Sequence, residues 1–211
     1  MSVLVYTESW KGKFRKSTFE AVSYASETAK LLATDVVALS FGEVTDEELN
    51  KLGNYGASKV LSASGVNKGD SQQTSNLFAE NLADASIIIF ANSYTAKMIA
   101  PRLAIKLKIG IASNVITVPS STSPVTITRK AFSGKAIEKT VINSEKAILT
   151  LAPNAFGLVE CGGNCSIEKI SSTENGMVTI EGKEVASGKV SLTEAEIIVS
   201  GGRGLKGAEN W

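Results

Sequence analysis

The 211-residue chain contains no histidine. Histidine is the general base of Ser-His-Asp and Cys-His nucleophile systems, and it is a common zinc ligand. Its absence excludes both catalytic systems and every metal site that includes an imidazole. We therefore expect no hydrolytic chemistry within this chain, and we predict neither catalytic residues nor metal ligands.

Cysteine is nearly as scarce. Cys161 and Cys165 stand in Cys-Gly-Gly-Asn-Cys, with three residues between them. A redox Cys-x-x-Cys motif has two intervening residues, and a zinc site needs more ligands than these. We therefore expect two free thiols in a glycine-rich loop, with a functional disulfide as the alternative.

Long apolar runs and an excess of one charge are also missing. No apolar run approaches the roughly 20 residues that span a bilayer. Lys and Arg number 22 against 21 Asp and Glu, for a net charge of +1. These features predict no nucleic-acid partner and no membrane insertion. The chain enters the strand-like Val3-Leu4-Val5-Tyr6 without a presequence, which predicts a cytoplasmic protein.

What the sequence does contain is an alternation of strand-like and helix-like segments. Apolar strand-like runs occur at Val3–Thr7, Val36–Leu39, Lys59–Ser62 and Ser86–Ala91. Runs that are apolar without alternation are typical of parallel strands buried on both faces. The pattern predicts an α/β domain of three layers, in which helices flank a parallel sheet.

Helix starts are marked by capping patterns. Ser17-Thr18-Phe19-Glu20 and Thr45-Asp46-Glu47-Glu48 each place a hydroxyl and a carboxylate three positions apart. Asp70 or Ser71 can cap a third helix. The first helix has apolar residues at three-and-four spacing, which predicts one buried stripe: Phe19, Val22, Ala25, Ala29 and Leu32.

The segment Tyr94–Ala104 is helical in composition except at Pro101. Proline is tolerated only in the first turn, so the helix either begins near Pro101 or kinks there. Arg102 is interpreted as a solvated or ion-paired helix residue, with a subunit contact as the alternative. Ser113–Val118 then predicts a further strand.

The segment that follows has the sequence pattern of antiparallel strands. From Val125 to Ala152 apolar and polar residues alternate, which is typical of strands with one solvated face. Asn175-Gly176, between Ile167–Ile170 and Met177–Ile180, predicts a hairpin.

A polar, glycine-bearing stretch at Glu181–Lys189 suits a linker. We place the domain boundary between about Glu181 and Thr193. The prediction is an N-terminal α/β domain over residues 1–190 and the start of a second α/β domain over residues 195–211, truncated after Trp211.

The last stretch combines a strand-like run with a glycine turn. Ile197–Val199 suits a strand buried on both faces, and Gly201-Gly202-Arg203-Gly204 follows it. Glycine lets another molecule approach the main chain, and arginine matches a phosphate. This predicts the opening of a nucleotide-binding βα unit. A tight turn with a solvated arginine is the alternative, because the spacing fits neither Gly-x-Gly-x-x-Gly nor Gly-x-x-x-x-Gly-Lys-Ser/Thr.

The loop after the first strand bears on a competing function. In a ligase-like α/β enzyme, the first domain itself would bind ATP or AMP. Glu8–Lys13 has one glycine, whereas a phosphate-binding first loop is usually richer. A plain interaction domain is a third class of function, and it partly coincides with the interpretation that follows.

Three segments carry a family resemblance. Val199–Lys206 contains Val-Ser-Gly-Gly-Arg-Gly, and Ala100–Ala104 reads Ala-Pro-Arg-Leu-Ala, followed by Gly-Ile-Ala-Ser-Asn-Val at Gly110–Val115. The third resemblance has two parts. Ala131–Ala136 contains an aromatic-x-Gly-Lys-Ala turn, and Leu149–Phe156 contains the strand end Thr-x-Ala-Pro-x-x-Phe. Together these segments, which run the length of the chain in order, resemble the α subunits of electron transfer flavoproteins.

One position departs from the family pattern. The family has arginine before the proline of the strand end, and this chain has Ala152. The role of that side chain therefore does not carry over to this chain.

The resemblance implies a first domain related to adenine-nucleotide α-hydrolase-like folds, largely structural and packed on a β subunit. It implies a second domain that holds FAD and swings between partners. Arg203 is the position that carries over as an FAD contact, flanked by Gly202 and Gly204. The other FAD motifs of the family would follow Trp211, so we expect FAD to be absent or weakly bound here.

The resemblance also implies a function. The complete protein would be an electron carrier without substrate chemistry of its own, and therefore not an enzyme. It would pass electrons from flavin dehydrogenases, such as those of fatty acid oxidation, through FAD to a quinone reductase or another acceptor. This chain would be its mainly structural domain, docking a β subunit in a heterodimer through the face formed by Ala91–Val118.

Overall fold

A computed structural model of the chain describes residues 2–82, 84–172, 176–182, 192, 195 and 197–210. The chain divides into two compact units, Met1–Glu181 and Gly182–Trp211. Every strand and α-helix of the described residues lies in the first unit.

Strands and helices alternate through most of the first unit. Their order is β1 (Ser2–Thr7), β2 (Ser9–Trp10), β3 (Lys13–Phe14), α1 (Lys16–Leu32), β4 (Asp35–Phe41), α2 (Asp46–Asn50), β5 (Lys59–Ala63), α3 (Ser71–Glu80), β6 (Ala85–Ala91), α4 (Tyr94–Leu107), β7 (Gly110–Val115), β8 (Ser121–Thr122), β9 (Val125–Ala131), β10 (Ala136–Ile142), β11 (Ala147–Leu151) and β12 (Ser166–Lys169). The strands predicted at the positions of β1, β4, β5 and β6 are confirmed. The strand predicted at Ser113–Val118 exists, but it begins and ends three residues earlier, as β7.

One large sheet organises the unit. Its strand order is β10-β9-β7-β11-β6-β1-β4-β5-β12, with β8 paired to β9. All neighbours from β7 to β12 in this order are parallel. At the centre, Val5 of β1 is in register with Ala38 of β4 and Ile89 of β6. The strands β2 and β3 form a separate antiparallel hairpin.

Helices cover both faces of this sheet, which confirms the predicted three-layer α/β class. Val5 packs in one core with Val22 of α1. Leu4, the next residue along β1, packs in a second core with Leu103 of α4. Successive strand residues point to opposite faces, so apolar residues at every position of β1 fill both cores. Burying each such side chain contributes about 1.5–3 kcal/mol.

The antiparallel part of the sheet is smaller than predicted. Strands β9 and β10 pair antiparallel, with Thr126 opposite Val141, as the alternation indicates. The same prediction is wrong for β11, which runs parallel to both β6 and β7 between them. All five residues of β11 are buried, because this strand has neighbours on both sides and neither of its faces is solvated.

The hairpin predicted around Asn175-Gly176 is also wrong among the residues that the structure describes. β12 pairs in parallel with β5 at the sheet edge, with Ile167 opposite Val60. β12 thus pairs with the edge of β5, whereas Met177–Ile180 forms no strand. Asn175 itself lies outside the described residues.

The first predicted capping box does not form. Helix α1 begins at Lys16, with Arg15 at the N-cap position and no side-chain cap. Thr18 instead donates its hydroxyl to the carbonyl of Glu8 at 2.7 Å. Ser17, whose hydroxyl the box would use, is the second residue of the helix and not its cap. The Glu20 carboxylate accepts main-chain N–H bonds from the loop at residues 154–157 and does not return to the helix start. The predicted buried stripe of α1 is confirmed by its central residues Val22, Ala25 and Ala29.

The second capping box forms in part, and the third helix start is as predicted. Thr45 Oγ1 accepts from the Glu48 main-chain N–H at 3.4 Å. The Glu48 carboxylate accepts from the N–H of Phe14 at 2.9 Å and from Lys51 Nζ at 2.6 Å, so it does not return to the cap. Asp70 caps α3.

Helix α4 runs through Pro101, so the alternative that it begins near this proline is wrong. Ser93 precedes the helix, and its Oγ accepts from the N–H of Ala96 at 3.1 Å. This hydroxyl cap sets the start at Tyr94.

The second unit contains two short 3-10 turns, Arg203–Leu205 and Ala208–Asn210. The strand predicted at Ile197–Val199 is wrong: these residues are exposed, and none of them belongs to a strand. A strand buried on both faces needs neighbouring strands. No described residue of this unit belongs to a strand.

Most of the predicted linker and domain boundary falls on residues 183–191, which lie outside the described residues. Within the ranges that the structure describes, no helix combines the length and apolarity required to cross a membrane.

Candidate functional site

Polar residues from several strands meet at the carboxyl edge of the parallel sheet. Asn92 and Ser93 follow β6, Asn114 lies near the end of β7, and Thr150 lies near the end of β11. Ligands of open α/β sheets bind outside the carboxyl ends of the strands. This edge is therefore the candidate site of the first unit.

Asn92, Asn114 and Thr150 form a closed ring of hydrogen bonds, to which Asn114 contributes its side chain and its main-chain N–H. The Asn92 amide donates to Asn114 Oδ1. The Asn114 N–H donates to Thr150 Oγ1 at 3.4 Å, and this hydroxyl donates to Asn92 Oδ1 at 3.5 Å. The ring fixes the ends of β6, β7 and β11 relative to one another.

A β-bulge produces the position of Asn114. Leu149 of β11 is opposite Ala112, but Leu151 is opposite Val115, so β7 carries one extra residue. Asn114 adopts a left-handed φ of 57° there, a conformation that asparagine tolerates better than most residues. The bulge turns its amide towards the edge of the sheet.

The N-terminus of α4 is tied to the end of β1 at the same edge. Thr95 Oγ1 donates to Glu8 Oε1 at 2.8 Å. Together with the Ser93 cap, this contact fixes the direction in which α4 leaves the sheet.

A pocket of about 180 Å³ opens between α4 and β7. Its lining combines apolar side chains of α4 and β7 with the amide and hydroxyl groups of the ring. The pocket is large enough for one side chain or a small ligand and too small for a dinucleotide. Its lining residues are Asn92, Lys97, Ala100, Pro101, Ile111, Ser113, Asn114 and Thr150.

The loop after β1 is held in place by contacts with other residues of the chain. It folds into the hairpin of β2 and β3, and Lys68 Nζ donates to the carbonyl of Ser9 at 2.6 Å. The Arg15 guanidinium lies over the Trp10 ring at 4.8 Å. This hairpin stands where the competing interpretation would require a phosphate-binding loop.

The outer face of α4 carries an apolar stripe. Tyr94, Met98, Pro101 and Ile105 are exposed and recur at intervals of four, three and four residues. This spacing puts them on one face of the helix, opposite the residues buried against the sheet. We call these four residues the outer stripe.

The predicted cofactor residues lie in the second unit. Gly202, Arg203 and Gly204 are exposed in one turn, in which the Leu205 N–H donates to the Gly202 carbonyl at 3.0 Å. A Cβ atom built on Gly202 or Gly204 would meet nothing within 4 Å. The turn is open to an approaching ligand.

Two buried carboxylates hold segments that precede the second unit. Glu20 accepts main-chain N–H bonds from Asn154 at 3.0 Å, and from Phe156 and Gly157 at 2.9 Å each. Asp70 accepts from Gln72 and Gln73 at the start of α3, and from Met177 and Val178. The Gln73 N–H and the other main-chain donors lower the pKa of Asp70 below its ordinary value.

Both cysteines are free, as predicted. Cys161 is exposed, whereas Cys165 is half-buried, and burial raises the pKa of its thiol.

Sequence reasoning missed the ring at the carboxyl edge and the tertiary role of Glu20. A signal for part of the ring was present, because Asn92-Ser93 follows the most strand-like run of the chain. Asn114 gave no such signal, because it lies near the start of the predicted strand Ser113–Val118. Glu20 carried no comparable signal, because its partners lie 134 to 137 residues away.

Comparison with known proteins is consistent with this fold. The family model described as Electron transfer flavoprotein domain matches residues 3–175. Electron transfer flavoprotein subunit alpha of Bacillus subtilis (strain 168) is 31% identical over 222 residues, covering 99% of this chain and 66% of that protein. The subunit alpha of Syntrophomonas wolfei is 29% identical over 213 residues, covering 97% of this chain and 66% of its own length.

A third relative, Electron transfer flavoprotein subunit alpha of Pseudomonas aeruginosa, is 27% identical over 219 residues, covering 100% of this chain and 68% of that protein. The chain spans about two thirds of the length of the curated relatives it matches.

Proposed function

The chain belongs to the electron transfer flavoprotein domain family, and from this premise we propose that it is the N-terminal portion of an electron transfer flavoprotein α subunit. The observation that carries the proposal is similarity to two α subunits along 99% and 97% of this chain. In this proposal the complete protein accepts electrons from flavin dehydrogenases and delivers them to a quinone reductase or another acceptor. It is a cytoplasmic carrier and has no substrate chemistry of its own.

The first unit has a structural and docking role in this proposal. A smaller β subunit docks on the face formed by Ala91–Val118, to form a heterodimer. The exposed outer stripe on α4 supports this assignment, because an apolar stripe on a surface helix marks an interaction site more often than a free surface.

The turn of Gly202, Arg203 and Gly204 is proposed to contact FAD. When bound, FAD supplies the one-electron chemistry. The residues fit a phosphate edge, because the glycines leave open space and the arginine is exposed beside them. One arginine in an open turn is too little to enclose a dinucleotide, so this chain alone binds FAD weakly or not at all.

Isolation of the chain with and without the β subunit of the same organism tests the proposal. Light scattering is expected to show a one-to-one complex, and titration with FAD is expected to show weak flavin binding by the chain alone. A full-length protein that stays monomeric beside the β subunit would contradict the partner assignment. A flavin-loaded preparation of this chain alone would contradict the cofactor assignment.

The competing ligase-like function is tested by the same material. We expect calorimetry to detect no tight ATP or AMP binding, because the first loop is folded into the β2–β3 hairpin. Tight binding of either nucleotide would favour the competing function.

A further inference from the structure

We propose that the partner surface covering helix α4 is an acidic protein surface with an apolar centre. The inference rests on the proposed function in one respect, since it takes the β subunit as the partner. The charges and apolar side chains of this chain indicate what kind of surface the partner presents.

Charge is distributed unevenly along the sequence. Residues 85–137 contain seven Lys or Arg and no Asp or Glu, although the whole chain has a net charge of +1. The acid-free stretch covers β6, α4, β7, β8, β9 and the turn that leads into β10. The rest of the chain has 15 Lys or Arg against 21 Asp or Glu, so the net positive charge lies in the part of the fold around α4.

The cations of α4 flank the outer stripe. Successive residues of a helix are rotated by about 100°, so Lys97 lies on one side of the stripe and Arg102 and Lys106 lie on the other. All three are exposed. Lys97 Nζ lies 5.2 Å from the centroid of the Tyr94 ring, which holds this charge against the margin of the stripe.

The described carboxylates of the first unit do not neutralise these cations. Among the described residues of that unit, Lys97, Arg102 and Lys106 make no salt bridge with any Asp or Glu. Lys106 donates to the neutral amide of Asn76. The face thus retains positive charge that a partner can complement.

The apolar centre of the face is well exposed. Tyr94 is 82% exposed and Ile105 is 79% exposed, while the residues on the opposite side of the same helix are buried against the sheet. Helix α4 is therefore apolar on two sides, and within the described part of this unit only its inner side is packed against other elements. An apolar centre within a charged rim is the usual anatomy of a protein interface.

The same features decide against a second copy of this chain. A symmetric dimer through α4 would bring two sets of like charges together around the stripe, and like charges across an interface are strongly disfavoured. A partner with carboxylates around an apolar patch satisfies both the cations and the stripe.

The pocket between α4 and β7 supplies an anchor point beside the stripe. Pro101 belongs to both the stripe and the pocket wall, and Lys97 stands at the pocket rim. A partner side chain with an apolar stem and a carboxylate end fits this lining. The stem contacts Pro101 and Ile111, while the carboxylate reaches Lys97 and the amide of Asn114.

The experiment measures binding of this chain to the electron transfer flavoprotein β subunit of the same organism by calorimetry. Raising the salt from about 0.1 M to about 1 M shortens the screening length from about 10 Å to about 3 Å, and we expect Kd to rise at least about tenfold. The double variant Lys97→Glu/Arg102→Glu should raise Kd at low salt by at least about tenfold and flatten the salt dependence.

Two controls separate charge from apolar contact. Lys30→Glu reverses an exposed charge on α1, across the sheet from α4, and should leave Kd unchanged. Ile105→Ser should weaken binding without changing the salt dependence, whereas Leu31→Ser, on the exposed side of α1, should have no effect. All five substituted positions are exposed, so the variants are expected to fold.

Each outcome has a distinct meaning. Binding that is insensitive to salt and to the charge reversal overturns the acidic-surface proposal and leaves the proposed function in place. Self-association of the chain that Ile105→Ser abolishes also overturns it, in favour of a second copy. Failure of the full-length protein to bind the β subunit under any condition overturns the proposed function itself.

Discussion

The main-chain N–H of Met177 donates to Asp70 Oδ2 at 2.7 Å, across 107 residues of sequence. The other carboxylate oxygen accepts from Gln72 and Gln73 at the start of α3. One buried carboxylate therefore caps a helix and holds the segment that ends the first unit. Asn67 adds a second tie, because its amide donates to the carbonyl of Val178 at 3.0 Å.

Replacement of Asp70 by alanine should destabilise the first unit by about 2 kcal/mol, because it removes a helix cap and orphans the N–H groups of Met177 and Val178. Urea unfolding measures the loss, and amide hydrogen exchange should show faster exchange at both residues. Asp46→Ala, at an exposed carboxylate in the first turn of α2, is the matched control. Unchanged hydrogen exchange at Met177 would show that Asp70 does not hold this segment.

The stability contributed by Asp70 should depend on pH in one direction. Its pKa in the folded chain lies below the ordinary value of 3.8, so the contribution is present above that value and is lost as pH falls through the folded pKa. Unfolding free energies measured between about pH 6 and pH 2 should fall less steeply in Asp70→Asn than in the parent chain. Parallel curves would show that the carboxylate is not linked to folding.

Replacement of Glu20 by alanine should cost about 3 kcal/mol, because three main-chain N–H groups of the loop at residues 154–157 lose their buried acceptor. The matched control is Glu27→Ala on the same helix, whose carboxylate pairs with Lys30 at the surface. That variant should cost less than about 1 kcal/mol. Equal effects from the two variants in chemical denaturation would refute the anchoring role of Glu20.

Alanine at Gly53 should destabilise the fold by about 1–3 kcal/mol through overpacking. A Cβ at Gly53 would lie 2.8 Å from main-chain atoms of Gly163, Asn164 and Cys165, and main chain cannot move aside as a flexible side chain does. Gly202→Ala, where a Cβ meets nothing within 4 Å, should be neutral. Thermal denaturation of both variants tests the difference, which vanishes if the loop at 163–165 can shift freely.

Much of the fold could be predicted from sequence, because a strand that is buried on both faces is apolar along its whole length. β1, β4 and β6 are apolar at nearly every position, and only a parallel sheet covered by helices uses such strands. β11 is also mainly apolar, but it follows the alternating segments of β9 and β10 in the sequence, and their pattern predicts the wrong direction for it. Position in the sheet, rather than local sequence, decides the direction of such a strand.

The polar contacts could be predicted only where they are local. Asp70 was identified as a helix cap because its partners Gln72 and Gln73 are two and three residues away. Its second pair of partners and those of Glu20 lie more than a hundred residues away, and no periodicity records them. The turn at Arg203 was identified through resemblance, and its role as an FAD contact remains a prediction.

The pairing of β5 with β12 has a consequence for the growing polypeptide. Ser58 and Ser166, at the start of this pairing, are 108 residues apart. At synthesis rates of 5–20 residues per second, β12 follows β5 out of the ribosome by roughly 5–20 s. During that interval β5 presents an unpaired strand edge, the kind of surface that recruits other chains. The nascent protein is therefore most exposed to mispairing along β5, and translation of the last described strand closes that edge.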